Sequence, residues 1–326
     1  MAKLIHPGGV PDPQDERDYP FEAFVGADDA IQLPEFYDVE EEFGALNQKD
    51  QKLTWSCGAQ AVSYYTELLE LIESRKLTEM SPHSIYAFTN IGAGYGSITR
   101  DNIMRIVGVG IVPESKFSSQ PMTEKHMISK EGWTAELEKL AGKYKAKLGV
   151  TITDRDNFDL FKVAIFKGHG VVSGLNLSAE GWYVVPIRPP KTSGEKIAGH
   201  SMYFKGWGKD QYGDYIKVKD SYPSGDKKLY RDYWISGMVH SAWTLIDLPN
   251  EQEVPVNKNV KYFAQARAMS YALYVSILGR EPENDLVLDK HAAFLASALL
   301  RGDQNAVNAW AKGFVKEITE KYGKPS

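Results

Sequence analysis

With 326 residues, 43% of them hydrophobic and 25% charged, the chain has the composition of a soluble globular protein with room for two domains. Its formal net charge of −5 argues against nucleic acid as the main partner, and its single cysteine excludes an internal disulfide. No apolar run is long enough for a signal peptide or a membrane span, so we expect a soluble protein that is not secreted.

The first half of the chain is predicted to be extended and then mostly helical. Prolines and charges up to residue 32 favour an extended lead, and Leu33-Pro34 opens the compact part. Apolar residues at helical spacing, with start signals such as Ser56 and Ser81-Pro82, predict several helices. They are expected over 57–75, from 81 onward, from 97 or 100 to 107, and over 131–148.

The second half is predicted to be mostly β, followed by a small helical part. Short runs of β-branched and aromatic residues between glycines predict strands. They are expected at 163–166, 170–174, 182–185, 201–204, 215–219 and 243–246. A helical half before a β half predicts an α+β fold with a cleft between two lobes. The predicted organisation is a lead over 1–32, a domain over 33–248, a linker over 249–257 and a helical module over 258–326.

The lone cysteine, Cys57, is the first candidate for chemistry. A single cysteine is more often a small buried hydrophobe than a nucleophile, so other features must support it. Cys57 stands at the start of a predicted helix, where the helix dipole favours the thiolate. Gln51, six residues upstream, could offer a side-chain N–H to an oxyanion that forms beside the sulfur. These groups are typical of nucleophilic acyl transfer.

A thiol nucleophile needs a base, and His200 is the best placed histidine. It lies at the edge of a predicted strand, and the next predicted strand ends at Asp220. If the two strands are antiparallel neighbours, the imidazole and the carboxylate meet across the ladder, which fixes the histidine tautomer. His169 competes on spacing alone, but no acidic residue follows it on an adjoining strand.

These residues occur in three blocks that resemble the active site of papain-like cysteine peptidases, of a microbial or phage type without a long propeptide. The blocks run from Gln51 to Cys57-Gly58, from Gly199-His200-Ser201 to Gly206-Trp207-Gly208, and over Asp220-Ser221-Tyr222. The resemblance covers about residues 33–248 and implies a helical lobe beside an antiparallel β lobe.

By this resemblance, the chain would hydrolyse peptide bonds through a thioester on Cys57, with His200 as acid and base and Asp220 as its orienter. Gln51 and the backbone N–H of Cys57 would form the oxyanion hole. The resemblance also implies substrate contacts at Gly94, Gly96, Gly199 and Tyr222. Asp220 replaces the usual asparagine, Tyr222 a common tryptophan, and Gly58 the tryptophan that usually follows the nucleophile.

The implied partner is a peptide or protein substrate, with no cofactor, no metal, no nucleic acid and no membrane. The helical module could dock the chain to a protein partner or an assembly. Two other functions fit the same residues. One is a non-enzymatic structural or binding component of an assembly such as a phage particle, and the other is a thiol acyltransferase or amidase that acts on cell-wall peptide. The expected location is cytoplasmic or virion-associated.

Overall fold

A computed structural model of the chain describes residues 8–13, 15, 18–23, 33–178, 180–191, 197–246, 295, 307–312 and 314–316. The chain divides into two compact units, one of Met1–Pro13 and Ile31–Asp247, the other of Gln14–Ala30 and Leu248–Ser326. In the second unit, Phe21–Ala23 forms a 3-10 turn, and residues 307–312 and 314–316 are helical. The predicted linker over 249–257, and most of the predicted module over 258–326, lie outside the described residues.

Helices dominate the first half of the described chain, as predicted. The helices of the first unit are α1 Val39–Phe43, α2 Cys57–Ser74, α3 His83–Thr89, α4 Thr99–Gly108, α5 Glu124–Met127, α6 Ala135–Ala141 and α7 Phe158–Gly168, and a short helix, α8 Asp232–Ile235, lies among the later strands. No helix within the described ranges is long and apolar enough to cross a membrane.

The strands form one large antiparallel sheet and one small parallel pair. They are β1 Gly9–Val10, β2 Tyr19–Pro20, β3 Tyr37–Asp38, β4 Ser97–Ile98, β5 Leu148–Thr151, β6 Val171–Ser178, β7 Ile197–Asp210, β8 Gly213–Lys219, β9 Lys227–Tyr230 and β10 Val239–Ile246. In the first unit, the sheet order is β5-β10-β6-β7-β8-β9, with β3 on β7, and β1 pairs with β4. The predicted α+β architecture is confirmed.

Helix α2 is the central element of this unit. Its first thirteen residues are buried on every face, which places it inside the protein rather than on the surface. Oε1 of the buried Glu67 contacts Lys49 at 2.6 Å and accepts from the backbone N–H of Met80 at 2.7 Å. The helix ends at Arg75, whose left-handed φ of 58° and N–H bond to Leu71 close the last turn. The prediction of a helix over 57–75 is correct to within one residue.

Two strand predictions are wrong. The run at 163–166 belongs to α7, because Asn157 caps that helix by accepting from the N–H of Leu160 at 3.1 Å. A short apolar run does not by itself distinguish a buried strand from a buried helix. The run at 182–185 forms a 3-10 turn over Gly181–Tyr183, and Val184 and Val185 then project into solvent.

Two helix predictions need correction. The helix expected over 131–148 covers only α6, after which the chain enters β5 and pairs with β10. The long-range pairing of β5 outweighs the local helix propensity there. Ser56 does occupy the N-cap position of α2, but its side chain caps no backbone N–H. Its hydroxyl instead bonds to Thr54 at 2.8 Å and accepts from Gln60 at 3.2 Å.

A network of lysines and carboxylates holds α1 and β3 against strands β7 and β8. Lys205 on β7 contacts Asp38 at 3.2 Å and Asp226 at 2.8 Å, and it also bonds to Glu40. Lys219 on β8 contacts Glu40 at 2.8 Å. Because each of these buried charges has a partner of opposite sign, the network fixes the position of the strand that ends beside Asp220.

Candidate active site

Cys57 is the first residue of α2, and its side chain is fully buried. Free backbone N–H groups at a helix start stabilise negative charge. Two further donors reach the sulfur, the backbone N–H of Ser201 at 3.4 Å and the backbone N–H of Gly8. The sulfur therefore lies where a thiolate is stabilised by N–H groups from three parts of the chain.

His200 and Asp220 meet on neighbouring strands. His200 lies in β7, and Asp220 follows β8, which pairs with β7 in the register Tyr203 to Lys219. Nε2 of His200 is 2.9 Å from Oδ1 of Asp220, and both side chains are fully buried. Since Nε2 is engaged by the carboxylate, Nδ1 is the ring nitrogen left for proton transfer, and it makes no hydrogen bond to any described residue.

The two reactive groups change each other's pKa. Burial by itself would raise the pKa of Cys57, but the charge of His200 and the backbone N–H groups of Ser201 and Gly8 lower it below its usual value. Burial would lower the pKa of His200, but the charges of Asp220 and Cys57 raise it to about 10. The electrostatics favour a thiolate and an imidazolium at neutral pH.

Gln51 is buried against Ser221, the residue that follows Asp220. Its backbone N–H donates to the carbonyl of Ser221 at 2.8 Å, and its side-chain oxygen accepts from the Ser221 hydroxyl. Its Nε2 donates one hydrogen to the carbonyl of Thr54 at 2.8 Å. The second hydrogen on Nε2 has no partner in the described part of the chain, which leaves one donor for an oxyanion.

Aromatic rings lie against His200 on two sides. Tyr222 stacks on the imidazole with ring centroids 5.7 Å apart, and Trp182 meets it edge-on at 6.2 Å. These rings limit the access of water to the bond between His200 and Asp220. Tyr222 is the residue at which the resemblance implies a substrate contact, whereas no sequence pattern marks Trp182.

Gln48 is a further residue that the sequence analysis missed. Its Nε2 donates to the carbonyls of Asp220 at 2.6 Å and Tyr222 at 2.8 Å. One side chain thus holds the backbone on both sides of Ser221, which itself bonds to Gln51. No local pattern marks Gln48, because its partners are more than 170 residues away in sequence.

The first described residues of the chain occupy the cleft. Strand β1 runs parallel to β4, with Gly9 opposite Ser97 and Val10 opposite Ile98. The carbonyl of Gly8 accepts from the N–H of Ser97 at 2.9 Å. A Cβ atom on Gly8 would lie 2.0 Å from the Trp55 carbonyl oxygen and 3.0 Å from the sulfur of Cys57. This segment therefore covers the sulfur and explains its burial.

Two of the predicted substrate-contacting glycines line this segment, and a third does not. A Cβ on Gly96 would lie 2.1 Å from the Gly8 oxygen, and a Cβ on Gly199 would lie 2.0 Å from the Gly9 oxygen. Only glycine permits a backbone to approach so closely. Gly94 instead faces the indole of Trp55, whose Nε1 is 3.7 Å from the position a Cβ would take.

Glu124 joins the two loops that meet at Gly94 and Trp55. Its carboxylate accepts from the backbone N–H of Trp55 at 3.0 Å, from the N–H of Gly94 at 3.1 Å and from the hydroxyl of Tyr86 at 2.8 Å. The loop before Cys57 and the cleft wall are thereby held together by one side chain. The sequence analysis missed Glu124, because no motif surrounds it.

No protein-family model matches the sequence, and no curated protein matches it either. No group of metal-ligating side chains is present among the described residues.

Solved structures of cysteine proteases do resemble the chain. Xylellain, a cysteine protease from Xylella fastidiosa, matches with a TM-score of 0.61 and 18% identity over 76% of this chain and 98% of its own. Digestive procathepsin L 3 of Tenebrio molitor larval midgut matches at 0.57 and 15% over 74% and 77%. Bromelain from Ananas comosus, in complex with the E64 inhibitor, matches at 0.52 and 16% over 66% and 100%. The chain thus has the fold of the papain-like cysteine proteases.

Proposed function

We propose that this chain is a cysteine peptidase that cleaves peptide bonds through a thioester on Cys57. The observation that carries the proposal is the buried bond between His200 Nε2 and Asp220 Oδ1 at 2.9 Å, beside a sulfur whose pKa is lowered. A merely structural cysteine would not need an imidazolium and two backbone donors around it. The fold shared with cysteine proteases supports the same activity.

In the proposed reaction, the Cys57 thiolate attacks the carbonyl carbon of the scissile bond, and the oxygen becomes negatively charged. The backbone N–H of Cys57 and the remaining N–H of Gln51 stabilise that oxyanion. Nδ1 of His200 gives its proton to the leaving amine, and the C–N bond breaks to leave a thioester. Water then attacks the thioester with His200 as base, which releases the acid and regenerates the thiolate and the imidazolium.

Asp220 supports this cycle through its charge. A carboxylate on Nε2 holds the ring so that Nδ1 faces the sulfur, and it stabilises the imidazolium form. The negative charge of Asp220 is the larger of the two charges that raise the pKa of His200 to about 10. Gln48, which holds the backbone of Asp220, is a positioning residue in this scheme.

The segment over the sulfur lies in a pose that cannot be cleaved. A scissile bond must present its carbonyl carbon to the sulfur and its oxygen to the oxyanion donors. Gly8 presents its N–H to the sulfur, and its carbonyl is bonded to Ser97. Residues 8–13 therefore block the cleft without acting as a substrate, and they must move before a peptide can bind.

Labelling the full-length chain with a thiol-reactive epoxide, with mass spectrometry to locate the adduct, tests the proposal. Because Cys57 is the single cysteine, any adduct on a thiol reports on the site. We expect labelling near neutral pH under reducing conditions, and peptide cleavage that is lost in Cys57→Ala and in His200→Ala alike.

Two results would point to the other candidate functions. Labelling with transfer of an acyl group to added amines, but without hydrolysis, would favour a thiol acyltransferase. Absence of labelling even after the lead has been displaced would contradict the thiol chemistry and favour a binding or structural role.

A further inference from the structure

An open cavity of about 310 Å³ lies beside the site, and none of residues 8–13 lines it. Trp182 and the segment Tyr183 to Ile187 form its apolar wall, and Lys227 and Lys228 of β9 stand on the other side. Three consecutive apolar side chains of the wall are exposed to solvent, Tyr183 at 52%, Val184 at 43% and Val185 at 79%. A concentration of exposed apolar surface of this kind is typical of a binding site.

The cavity adjoins the catalytic imidazole. Trp182 lines the cavity, and its ring also meets the imidazole of His200 edge-on at 6.2 Å. Tyr183 is close enough to Asp220 that the carboxylate contributes to raising its pKa, after the larger effect of burial. A ligand in the cavity would therefore contact the same indole ring that packs against the imidazole.

Residues 8–13 and the cavity lie on opposite faces of β7. Side chains alternate along a strand, so Gly199 and Ser201 point to one face and His200 to the other. The lead contacts the face of Gly199 and Ser201, while Trp182 lies on the face of His200. The leaving amine takes its proton from His200, so the leaving half of a substrate departs past the imidazole, on the side of the cavity.

The charge of the cavity is positive. Lys228 is paired with Asp210 at 2.7 Å, and Asp226 is paired with Lys205 at 2.8 Å. Lys227 has no carboxylate partner in the described ranges, and its Nζ lies 5.2 Å from the centre of the Trp182 ring. An acidic side chain would place its methylene groups on the apolar wall and its carboxylate at Lys227.

We propose that this cavity binds an acidic side chain in the leaving half of the substrate, with Lys227 as the residue that selects it. The proposal rests on the proposed peptidase function. The distance of 6.2 Å from the imidazole to Trp182 corresponds to about two residues of extended chain, so the second residue after the scissile bond is the expected position. Because the ion pair is partly exposed, the selection is expected to be about three- to ten-fold in kcat/KM.

The test uses full-length protein that carries Gly8→Leu, which displaces the lead from the cleft. The substrates are internally quenched peptides that carry Glu, Gln or Lys at one position and are otherwise identical. The varied position is the first, second or third residue after the cut, and kcat/KM is measured for each peptide. We expect Glu to exceed Gln by about three- to ten-fold at the second position, with Lys lowest, and the preference to fall at high salt. Lys227→Glu should reverse the order, and Lys227→Gln should abolish the difference between Glu and Lys.

The matched control is Lys209→Glu, which makes the same charge change on an exposed lysine that is paired with Asp214 and lies outside the cavity. It should leave the preference unchanged. Equal cleavage of the three peptides, or the same loss of preference in the control, would overturn the assignment of Lys227 while leaving the peptidase function intact.

If no peptide is cleaved by any variant, the peptidase function fails instead. The binding of the same peptides to the chain with Gly8→Leu and Cys57→Ala then decides the role of the cavity. Tighter binding of the Glu peptide that is lost with Lys227→Glu would support it, and equal binding of all three peptides would reject it.

Discussion

Replacing Gly8 by leucine should uncover the sulfur of Cys57. The new Cβ would lie 2.0 Å from the carbonyl oxygen of Trp55 and 3.0 Å from the sulfur. A clash with a backbone atom cannot be relieved by a rotamer change, so the segment around Gly8 must leave the cleft. The hydrogen bonds that it makes in the cleft are then lost.

Two hydrogen bonds set the size of the effect. The bond from the N–H of Ser97 to the Gly8 carbonyl, at 2.9 Å, contributes about 0.5–1.5 kcal/mol. The bond from the Gly8 N–H to a charged sulfur contributes about 1.5–3 kcal/mol. Their sum of about 2–4.5 kcal/mol corresponds to a change of roughly 30- to 1,600-fold in the ratio of covered to open cleft.

The rate of iodoacetamide alkylation measures this ratio, because the chain has one cysteine and a covered sulfur does not react. Gly142→Leu is the matched control, since a Cβ at Gly142 meets nothing within 4 Å. We expect Gly8→Leu to label at least thirty times faster than this control. Equal labelling rates of the two variants would refute the conclusion that the lead covers the sulfur.

Three further variants probe the site through different measurements. Asp220→Asn removes the larger of the two charges that raise the pKa of His200 to about 10, so the alkaline limit of kcat/KM should move down by about two pH units. The acid limit, set by protonation of the Cys57 thiolate, should move up, because the imidazolium is less stable. Gln51→Ala should lower kcat by about 10²–10³ with little change in the alkylation rate, since the oxyanion forms only during turnover. Glu124→Gln should raise KM more than it lowers kcat, because the amide places an NH₂ group against an N–H donor and loosens the Gly94 wall.

Each of these variants has an outcome that contradicts its reasoning. An unchanged pH profile in Asp220→Asn would mean that the carboxylate does not control the imidazolium. A fall in alkylation as large as the fall in kcat would make Gln51 a structural residue rather than an oxyanion donor. If Glu124→Gln has wild-type kinetics and a lowered melting temperature, Glu124 contributes to stability and not to substrate binding. Glu124→Asp is the control that keeps the negative charge.

The order of residues along the chain was enough to predict the α+β fold and the helix that begins at Cys57. Helix α2 has a long apolar periodicity, and such a pattern is decided locally. The pairing of His200 with Asp220 was also predictable, because antiparallel neighbours bring the edge of one strand near the end of the next. The strands predicted from short apolar runs at 163–166 and 182–185 were wrong, because the structure of such a run depends on residues that are distant in the sequence.

The sequence by itself determined which side chains carry the candidate chemistry, because a lone cysteine, a histidine and a carboxylate occur at spacings that two neighbouring strands and one helix bring together. Only the tertiary structure decided what covers and supports them. Gly8 over the sulfur, Gln48 behind Asp220 and Glu124 between two loops each contact backbone from remote parts of the chain. Backbone N–H and carbonyl groups are the same at every residue, so a contact made to them leaves no signature in the sequence of either partner.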